Sequence, residues 1–462
     1  MPGTLYIPGL YTGMDWQGVI DKIMQIEHKQ VDLLNSQKQT YQDKLSAWQD
    51  LNTKLLNVKT QAEGLNTADA FNIFTVGLSA SSGNAADYLT ATADSSATPG
   101  TYQLTIKQLA LAKVDSSGSF TSSTDALNLS GTLELKKSSD TTYIDITIDT
   151  TDSLTTIKDK INQYTSQTGV VASIVQYATG DYRLILTAQD TGTANTFDVY
   201  NNTIAQDLGF YDATTGTENT IQAAQDAIVN VYGTDATRSS NTITDLIPGV
   251  TLNLLNADST VTINLTVNKD VDTITSNIKD LFDKLNDVFT YINQQSDYTE
   301  EQKAPPLIGD SALTFLKADL RDKITSGVTF SDGTTHYLFE IGINVNDDGT
   351  YTVDETKLKD ALKNNFDTVK NLFTQSDTGV AVRLDSFLSF ITDETQNGYV
   401  QTRMDEIQTN IDNLDQQITD TEKRLDIEKD QLYEQFTTLE KYMAQMQQMQ
   451  QWLSQQLSSL SK

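Results

Sequence analysis

The chain has 462 residues, 62 acidic against 32 basic, a net charge of −30 and no cysteine. That charge disfavours nucleic acid and anionic membrane as partners. The missing cysteine excludes structural disulfides, thiolate metal sites and cysteine nucleophiles. The length calls for roughly two to four domains. Residues 1–14 read as a flexible segment without the basic start and apolar run of a cleaved secretory signal. No apolar run is long enough for a membrane span, so membrane insertion is not expected.

The first long pattern is helical. Ile20, Leu34, Tyr41, Trp48 and Leu55 share a heptad position that is broken by Glu27, and Ile23, Leu51, Val58 and Leu65 fill part of the neighbouring seam. The spacing predicts one helix from about Asp15 to Gly64, capped by Thr12 or Asp15, with Gly64 free to take a left-handed exit. An amphipathic helix of that length needs a partner, and the other end of the chain offers one.

The texture then changes to short alternating strands rich in Thr, Ser and Asp. Tyr102, Leu104 and Ile106 alternate with polar neighbours, as do Ile144, Ile146 and Ile148, and Val261, Ile263, Leu265 and Val267. Pro99-Gly100 and Pro248-Gly249 each read as a turn that launches a strand. One short helix interrupts, with Leu154, Ile157 and Ile161 on one face. A Ser/Gly run after Val114 and a Thr-rich stretch after Gly209 place a second small β-rich domain, 115–210, inside a first one made of 68–114 and 215–268. Residues 66–400 carry 44 of the acids and 20 of the bases, so the acidic excess belongs to the middle of the chain.

Helical periodicity returns at Ile274, Ile278, Leu281, Leu285, Val288 and Ile292, and again at Leu313, Leu316, Leu320 and Ile324. A hairpin is expected from Tyr337, Phe339 and Ile341 through Ile343, Val345, Asp348-Gly349, Tyr351 and Val353, followed by a helix capped by Asp354. Residues 269–400 therefore read as a base of helices and a hairpin.

The last stretch is the most regular. Met404, Ile411, Ile418, Leu425, Leu432, Leu439, Met446 and Leu453 recur every seven residues over 401–458. A second line is polar in its middle, at Thr421, Glu428 and Gln435. The fold class is accordingly multidomain α+β: long antiparallel terminal helices (15–67 and 401–458) forming a coiled-coil leg, the base, and two small β-rich head domains, one inserted in the other. Leu425, Leu432 and Leu439 are expected to hold the leg to the first helix through Trp48, Leu55 or Tyr41, with Ile411 and Ile418 also packing in the leg. Tyr442, Met443, Met446, Met449, Trp452 and Leu453 either finish the seam or form an adaptable docking surface.

No constellation for catalysis, a cofactor or a metal stands out. Asn344, Asn346, Asp348, Gly349, Thr350, Thr352 and Glu355 have the spacing of a calcium loop, but the strand-like flank favours a tight hairpin turn. His28 and His336 are far apart in sequence and belong to no H-E-x-x-H pattern. The expectation is a protein without enzymatic activity.

Several motifs in order resemble one family. Gly9-Leu10-Tyr11-Thr12-Gly13-Met14-Asp15 is similar to its opening G-L-x-S-G-L-D, with Thr12 and Met14 as departures. Ala97-Thr98-Pro99-Gly100-Thr101-Tyr102, Thr237-Arg238-Ser239-Ser240-Asn241-Thr242, Ile247-Pro248-Gly249-Val250-Thr251-Leu252, Asp348-Gly349-Thr350 and Gln451-Trp452-Leu453 follow along the chain. By these the sequence resembles the bacterial flagellar filament cap family, hook-associated protein 2, over nearly its whole length.

The resemblance implies a homo-oligomeric ring on the filament tip, with terminal-helix legs pointing into the filament and heads forming a plate. It implies flagellin as the client, hook-associated junction proteins as neighbours before filament growth, and an export chaperone on the C-terminal region, where Tyr442 to Leu453 would contact chaperone or filament. It also implies secretion through the flagellar type III export apparatus to an extracellular site at the flagellum tip. Cell adhesion through the heads is a family association for which no residue here argues. A secreted adhesin on a helical stalk, flagellin and a hook–filament junction protein are the alternatives.

Overall fold

A computed structural model describes residues 13, 15–297, 304–393 and 398–460. Apart from Gly13, the expected flexible segment 1–14 and the Thr12 cap lie outside the described residues. The protein is multidomain α+β, 49% helical and 23% strand. It divides into two compact units, one of Met1–Ala70 with Ile274–Lys462 and the other of Phe71–Thr273.

Helix α1 (Trp16–Glu27) begins where the Asp15 carboxylate accepts from the Gly18 N–H at 2.9 Å. The helix expected up to Gly64 continues as α2 (Lys29–Glu63) through a joint at His28, which keeps right-handed helical dihedrals (φ −61°, ψ −16°), donates to the Met24 carbonyl at 2.8 Å and accepts from the Asp32 N–H at 3.0 Å. The joint falls one residue beyond Glu27, where the apolar stripe is interrupted, while Met24 and Val31 on either side are buried in one cluster. Gly64 ends α2 with φ −69°, not in the left-handed region, because one more right-handed turn carries Leu65 into the core.

The second unit is entirely antiparallel in its strand pairing. In chain order it contains β1 (Phe74–Ala80), β2 (Leu89–Ala93), β3 (Gly100–Gln108), β4 (Val114–Ser116), β5 (Gly131–Lys137), β6 (Ile144–Ile148), α3 (Leu154–Asn162) and α4 (Thr165–Thr168). There follow β7 (Val170–Ala178), β8 (Asp181–Ala188), β9 (Phe197–Val199), α5 (Thr203–Asp207), β10 (Thr220–Gln222), β11 (Ala227–Val231), β12 (Thr234–Arg238), β13 (Thr242–Ile247), β14 (Val250–Leu254) and β15 (Ile263–Lys269).

A five-stranded sheet, β1-β15-β3-β11-β12, and a three-stranded sheet, β13-β14-β2, share a core that includes Leu104, Ile106, Val229, Leu252, Ile263 and Leu265. A separate core, with Leu133, Ile157, Leu184, Leu186, Phe197 and Phe210, is enclosed by β10-β4-β8-β7, β6-β5-β9 and α3. Between β13 and β14, Gly249 turns the chain at φ +72°. A Cβ there would lie 2.3 Å from the Ala97 nitrogen, so only glycine fits the Pro248-Gly249 turn.

The chain returns to the first unit through α6 (Val271–Ser296), α7 (Ser311–Thr325), the strand pair β16 (Val328–Thr329) and β17 (Thr335–His336), and the strand pair β18 (Ile343–Val345) and β19 (Tyr351–Val353). Helices α8 (Glu355–Asn364), α9 (Phe366–Thr374), α10 (Val380–Thr392) and α11 (Tyr399–Leu460) complete it. The strand expected across Tyr337, Phe339 and Ile341 is a 3₁₀ turn, Leu338–Ile341. The Glu340 carboxylate accepts from the Tyr337 N–H at 3.0 Å, and Gly342 leaves the turn at φ +89°, so Leu338 and Ile341 point inward while Phe339 points out.

In the β18–β19 turn the Asp348 carboxylate accepts from the Thr350 N–H at 2.9 Å and hydroxyl at 2.6 Å, and Asn346 donates to Thr350. The calcium-like spacing thus forms a closed hairpin. Among the described residues no group of three His, Asp or Glu side chains is placed to hold a metal ion. His336 sits 2.8 Å from Glu340 and against the Phe330 ring, and exposed His28 lies at the joint between α1 and α2.

One buried polar cluster in the second unit has consequences for stability. Asp115 on β4 is fully buried, with the Lys113 ammonium 3.1 Å from its carboxylate and the Thr220 hydroxyl donating to it at 2.7 Å. Lys113 also meets Glu218 at 2.8 Å and the Phe197 carbonyl at 3.0 Å. Burial pushes the Asp115 carboxyl up to about 6, against the opposing pull of Lys113 and Thr220.

A raised carboxyl makes the native state bind more protons than the unfolded chain between the two pKa values. Its contribution therefore grows as pH falls through about 6 and is complete near 3.8, the ordinary value of an aspartate carboxyl. The difference in unfolding free energy between the wild type and Asp115→Asn, measured by urea titration from pH 7.5 to 4.5, should tilt toward the wild type as pH falls. A pH-independent difference would refute the assignment.

Candidate functional site: the paired terminal helices

The candidate site is the place where both ends of the chain meet within the first unit. Helix α11 is 62 residues long, about 93 Å at 1.5 Å per residue. It runs antiparallel to α2 and then α1, and the cross-links show the register. Lys38 meets Asp415 at 2.5 Å, Arg424 donates to Gln30 at 2.7 Å, and the Trp16 indole N–H donates to Glu440 at 3.0 Å. As residue numbers fall on one helix they rise on the other.

The register is anchored at the base end by Asp310. One carboxylate oxygen accepts from the Ala312 N–H at 3.1 Å and so caps α7. The other accepts from the Trp48 indole on α2 at 3.3 Å and from the Arg403 guanidinium on α11 at 3.1 Å. Tyr399, at the first position of α11, lies edge-on to Trp48 with ring centroids 6.4 Å apart, and its hydroxyl donates to the Ala312 carbonyl at 2.5 Å. Burial pushes the Tyr399 hydroxyl up to about 12, so it stays a donor through the physiological range.

Beyond this knot the seam is apolar but thin. Ile20, Met24, Val31, Ile418 and Leu425 form one buried cluster, with Leu34, Leu432, Tyr433 and Phe436 packed partly buried against it. Trp16 stacks on Phe436 with centroids 4.6 Å apart, closing the far end.

The residues singled out from sequence fall in three places. Trp48 and Leu55 are fully buried at the base, and Tyr41 is half-buried in a groove beside Leu414. Ile411, Ile418 and Leu425 are buried in the seam and Leu432 is half-buried. Leu439 is 43% exposed. Tyr442, Met443, Met446, Met449, Trp452 and Leu453 all face solvent, because α1 begins at Trp16, opposite Glu440, and so does not extend across from them.

The pairing of Leu425, Leu432 and Leu439 with Tyr41, Trp48 and Leu55 is not the one observed. Leu425 and Leu432 pack with α1 and the start of α2, while Trp48 faces Tyr399. Heptads fix which face is apolar but leave the axial shift open, and the Asp310 knot sets that shift. Asp310, Tyr399, Arg403, Trp16 and Phe436 were missed. The only advance signal was Asp310 before Ser311-Ala312-Leu313, an N-cap pattern.

A leg of antiparallel terminal helices on a helical base, with an intervening β-rich unit, defines a structural assembly protein in architecture. Two family models, described as flagellar hook-associated protein 2 N-terminus and C-terminus, match residues 12–113 and 224–448, and a flagellin hook IN motif matches 128–190. The A-type flagellar hook-associated protein 2 of Pseudomonas aeruginosa is 27% identical over 100% of this chain and 98% of its own length. The flagellar hook-associated protein 2 of Escherichia coli K12 is 28% identical over 98% of both. A crystal structure of the flagellar cap protein FliD D1-D2-D3 domains from Escherichia coli superimposes with a TM-score of 0.64 at 28% identity, covering 78% of this chain and 99% of that one. The chain belongs to the flagellar hook-associated protein 2 family.

Two substitution sets test this geometry. Asp310→Ala should lower the unfolding free energy of the first unit by about 2–4 kcal/mol, from a lost cap and a lost charged hydrogen bond. Asp310→Asn, which keeps the cap, should lose only part of that in urea titration. Leu425→Ala should cost about 2–4 kcal/mol, whereas Leu439→Ala should stay within about 0.5 kcal/mol. Hydrogen exchange at residues 16–34 should accelerate in the first and not in the second.

Proposed function

We propose that this protein caps the distal end of a bacterial flagellar filament, holding exported flagellin there while it folds and inserts. The family match along nearly the whole chain carries this reading, and the solvent-facing end of α11 is consistent with it. In this reading 15–67 and 401–458 are the legs, 269–400 the base, 68–114 with 215–268 one head domain and 115–210 a second head domain inserted in it. The protein works as a closed ring of copies at the extracellular tip. It arrives through the flagellar type III export apparatus, held beforehand by a chaperone on its C-terminal region, and is seated first on hook-associated junction proteins.

The mechanism is mechanical, with no covalent step. Tyr41, Trp48, Leu55, Ile411, Ile418, Leu425, Leu432 and Leu439 belong to the leg, and Tyr442, Met443, Met446, Met449, Trp452 and Leu453 to the surface offered to filament or chaperone. From Tyr442 to Leu460 the sequence has no charged side chain, in a chain of net charge −30. This is where such an acidic protein can approach another polypeptide without like-charge repulsion. Met and Trp anchors there are adaptable enough to grip, release and regrip as the filament lengthens.

Purified protein truncated after Lys441 should melt as the full chain does, since the removed residues are exposed. Added to cap-deficient cells, it should fail to restore filaments and leave flagellin monomer in the medium, where the full chain restores growth. Normal filaments with the truncated protein would contradict the assignment of the surface, and failure of the full chain would contradict the capping role.

A further inference from the structure

The apolar stripe of α11 outlasts its partner. Leu425 is buried and Leu432 half-buried in the seam, yet Leu439, Met446 and Leu453 continue the same seven-residue line at 43%, 66% and 47% exposure. Met443 widens that line on one side and Tyr442 and Met449 on the other, all three exposed. A seam that keeps its register past the start of α1, on a face open to water, calls for a further segment to cover it.

Two contacts place the start of α1 at the edge of this open stretch. The Trp16 ring stacks on Phe436 with centroids 4.6 Å apart, and its indole N–H donates to Glu440 at 3.0 Å. Asp15 caps α1 from outside, and Gly13 before it has φ +68°, so the chain has left the helical path there.

Residues 1–14 come next in the antiparallel order, and their sequence suits that place. They hold no charged side chain, and neither does the stretch from Tyr442 to Leu460, in a chain of which a fifth is charged. Leu5, Tyr6, Ile7, Leu10 and Tyr11 supply apolar groups, while Pro2, Gly3, Pro8 and Gly9 oppose a helix. Length agrees as well. From Trp16 back to Ile7 an extended chain spans about 30 Å, at roughly 3.3 Å per residue. From Glu440 to Leu460 the helix also spans about 30 Å, at roughly 1.5 Å per residue.

We propose that residues 5–11 lie extended along the face of α11 marked by Leu439, Met446 and Leu453 in the same chain, continuing the leg seam beyond Trp16. A segment tied to Asp15 is present at an effective concentration on the order of millimolar, which a separate copy in dilute solution does not match. A charge placed on this face would be desolvated without a partner, and the segment carries none. Held by a handful of side chains, it adds little to folding but shields the tail methionines from water. The pairing stands independently of the capping reading, and any partner of the tail has to displace the segment first.

Methyl NMR of the full chain, labelled at its seven methionines, provides the test. Deleting residues 2–12 should shift the Met443, Met446 and Met449 methyls and raise their relaxation by a soluble paramagnetic agent, with Met24 and Met404 unchanged. Ile7→Asp combined with Leu10→Asp, at full length, should do the same. The chain has no cysteine, so a single spin label at Gly9→Cys is unambiguous. It should quench the Met446 and Met449 signals and spare Met404.

Tail methyl signals that ignore the deletion and the double substitution, or a label at Gly9→Cys that leaves Met446 and Met449 intact, would overturn the proposal. So would equal quenching when spin-labelled chains are mixed with separate methionine-labelled ones, because the occupant would then be a second copy of this chain.

Discussion

The structure of the first unit depends on one carboxylate. Asp310 starts α7, receives the indole of Trp48 from α2 and receives the guanidinium of Arg403 from α11. Three segments from opposite ends and the middle of the chain are thereby fixed to one another. Two negative oxygens serve several donors at a site where the carboxylate is 11% exposed, so each hydrogen bond is charge-assisted and little shared with water. Were any donor removed, the others would still hold a partner. Without the carboxylate, a buried indole N–H and a half-buried guanidinium would both lose one.

This arrangement also explains how so thin a seam closes. Pairing Trp16 with Glu440 would be costly if 424 positions of flexible chain had to be closed at once. They do not, because α2 and α11 already leave the base side by side. Each further turn then adds a short-range contact: Lys38 with Asp415, Gln30 with Arg424, Trp16 with Phe436. The leg zips outward from a rigid end. Its stability should fall along its length, from the fully buried Trp48 and Leu55 to Leu439, where the partner runs out.

Much of this was legible in the sequence. A seven-residue stripe from Met404 to Leu453 specifies a long helix whatever it packs on, and alternation in Val261 to Val267 specifies a strand with one buried face. What periodicity does not encode is registration. The offset of Leu425 from Trp48 and the inward turn of Leu338 depend on contacts made far away in sequence or on a single glycine, Gly342. The candidate surface at Tyr442 to Leu453 was visible as composition, but its openness was not. That depends on where α1 begins, at Trp16.

The most direct test of this account is a distance across the leg. The chain has no cysteine, so spin labels at Gln30→Cys and Arg424→Cys report without background. Pulsed dipolar spectroscopy on the full chain should give one narrow, short distance, as expected of residues joined by a hydrogen bond at 2.7 Å. Moving the second label to Tyr442→Cys should lengthen it by about 20 to 27 Å, the rise of eighteen helical residues less the offset between the two helices. A broad distribution centred at long distance for the first pair would show that the terminal helices do not pair in this register.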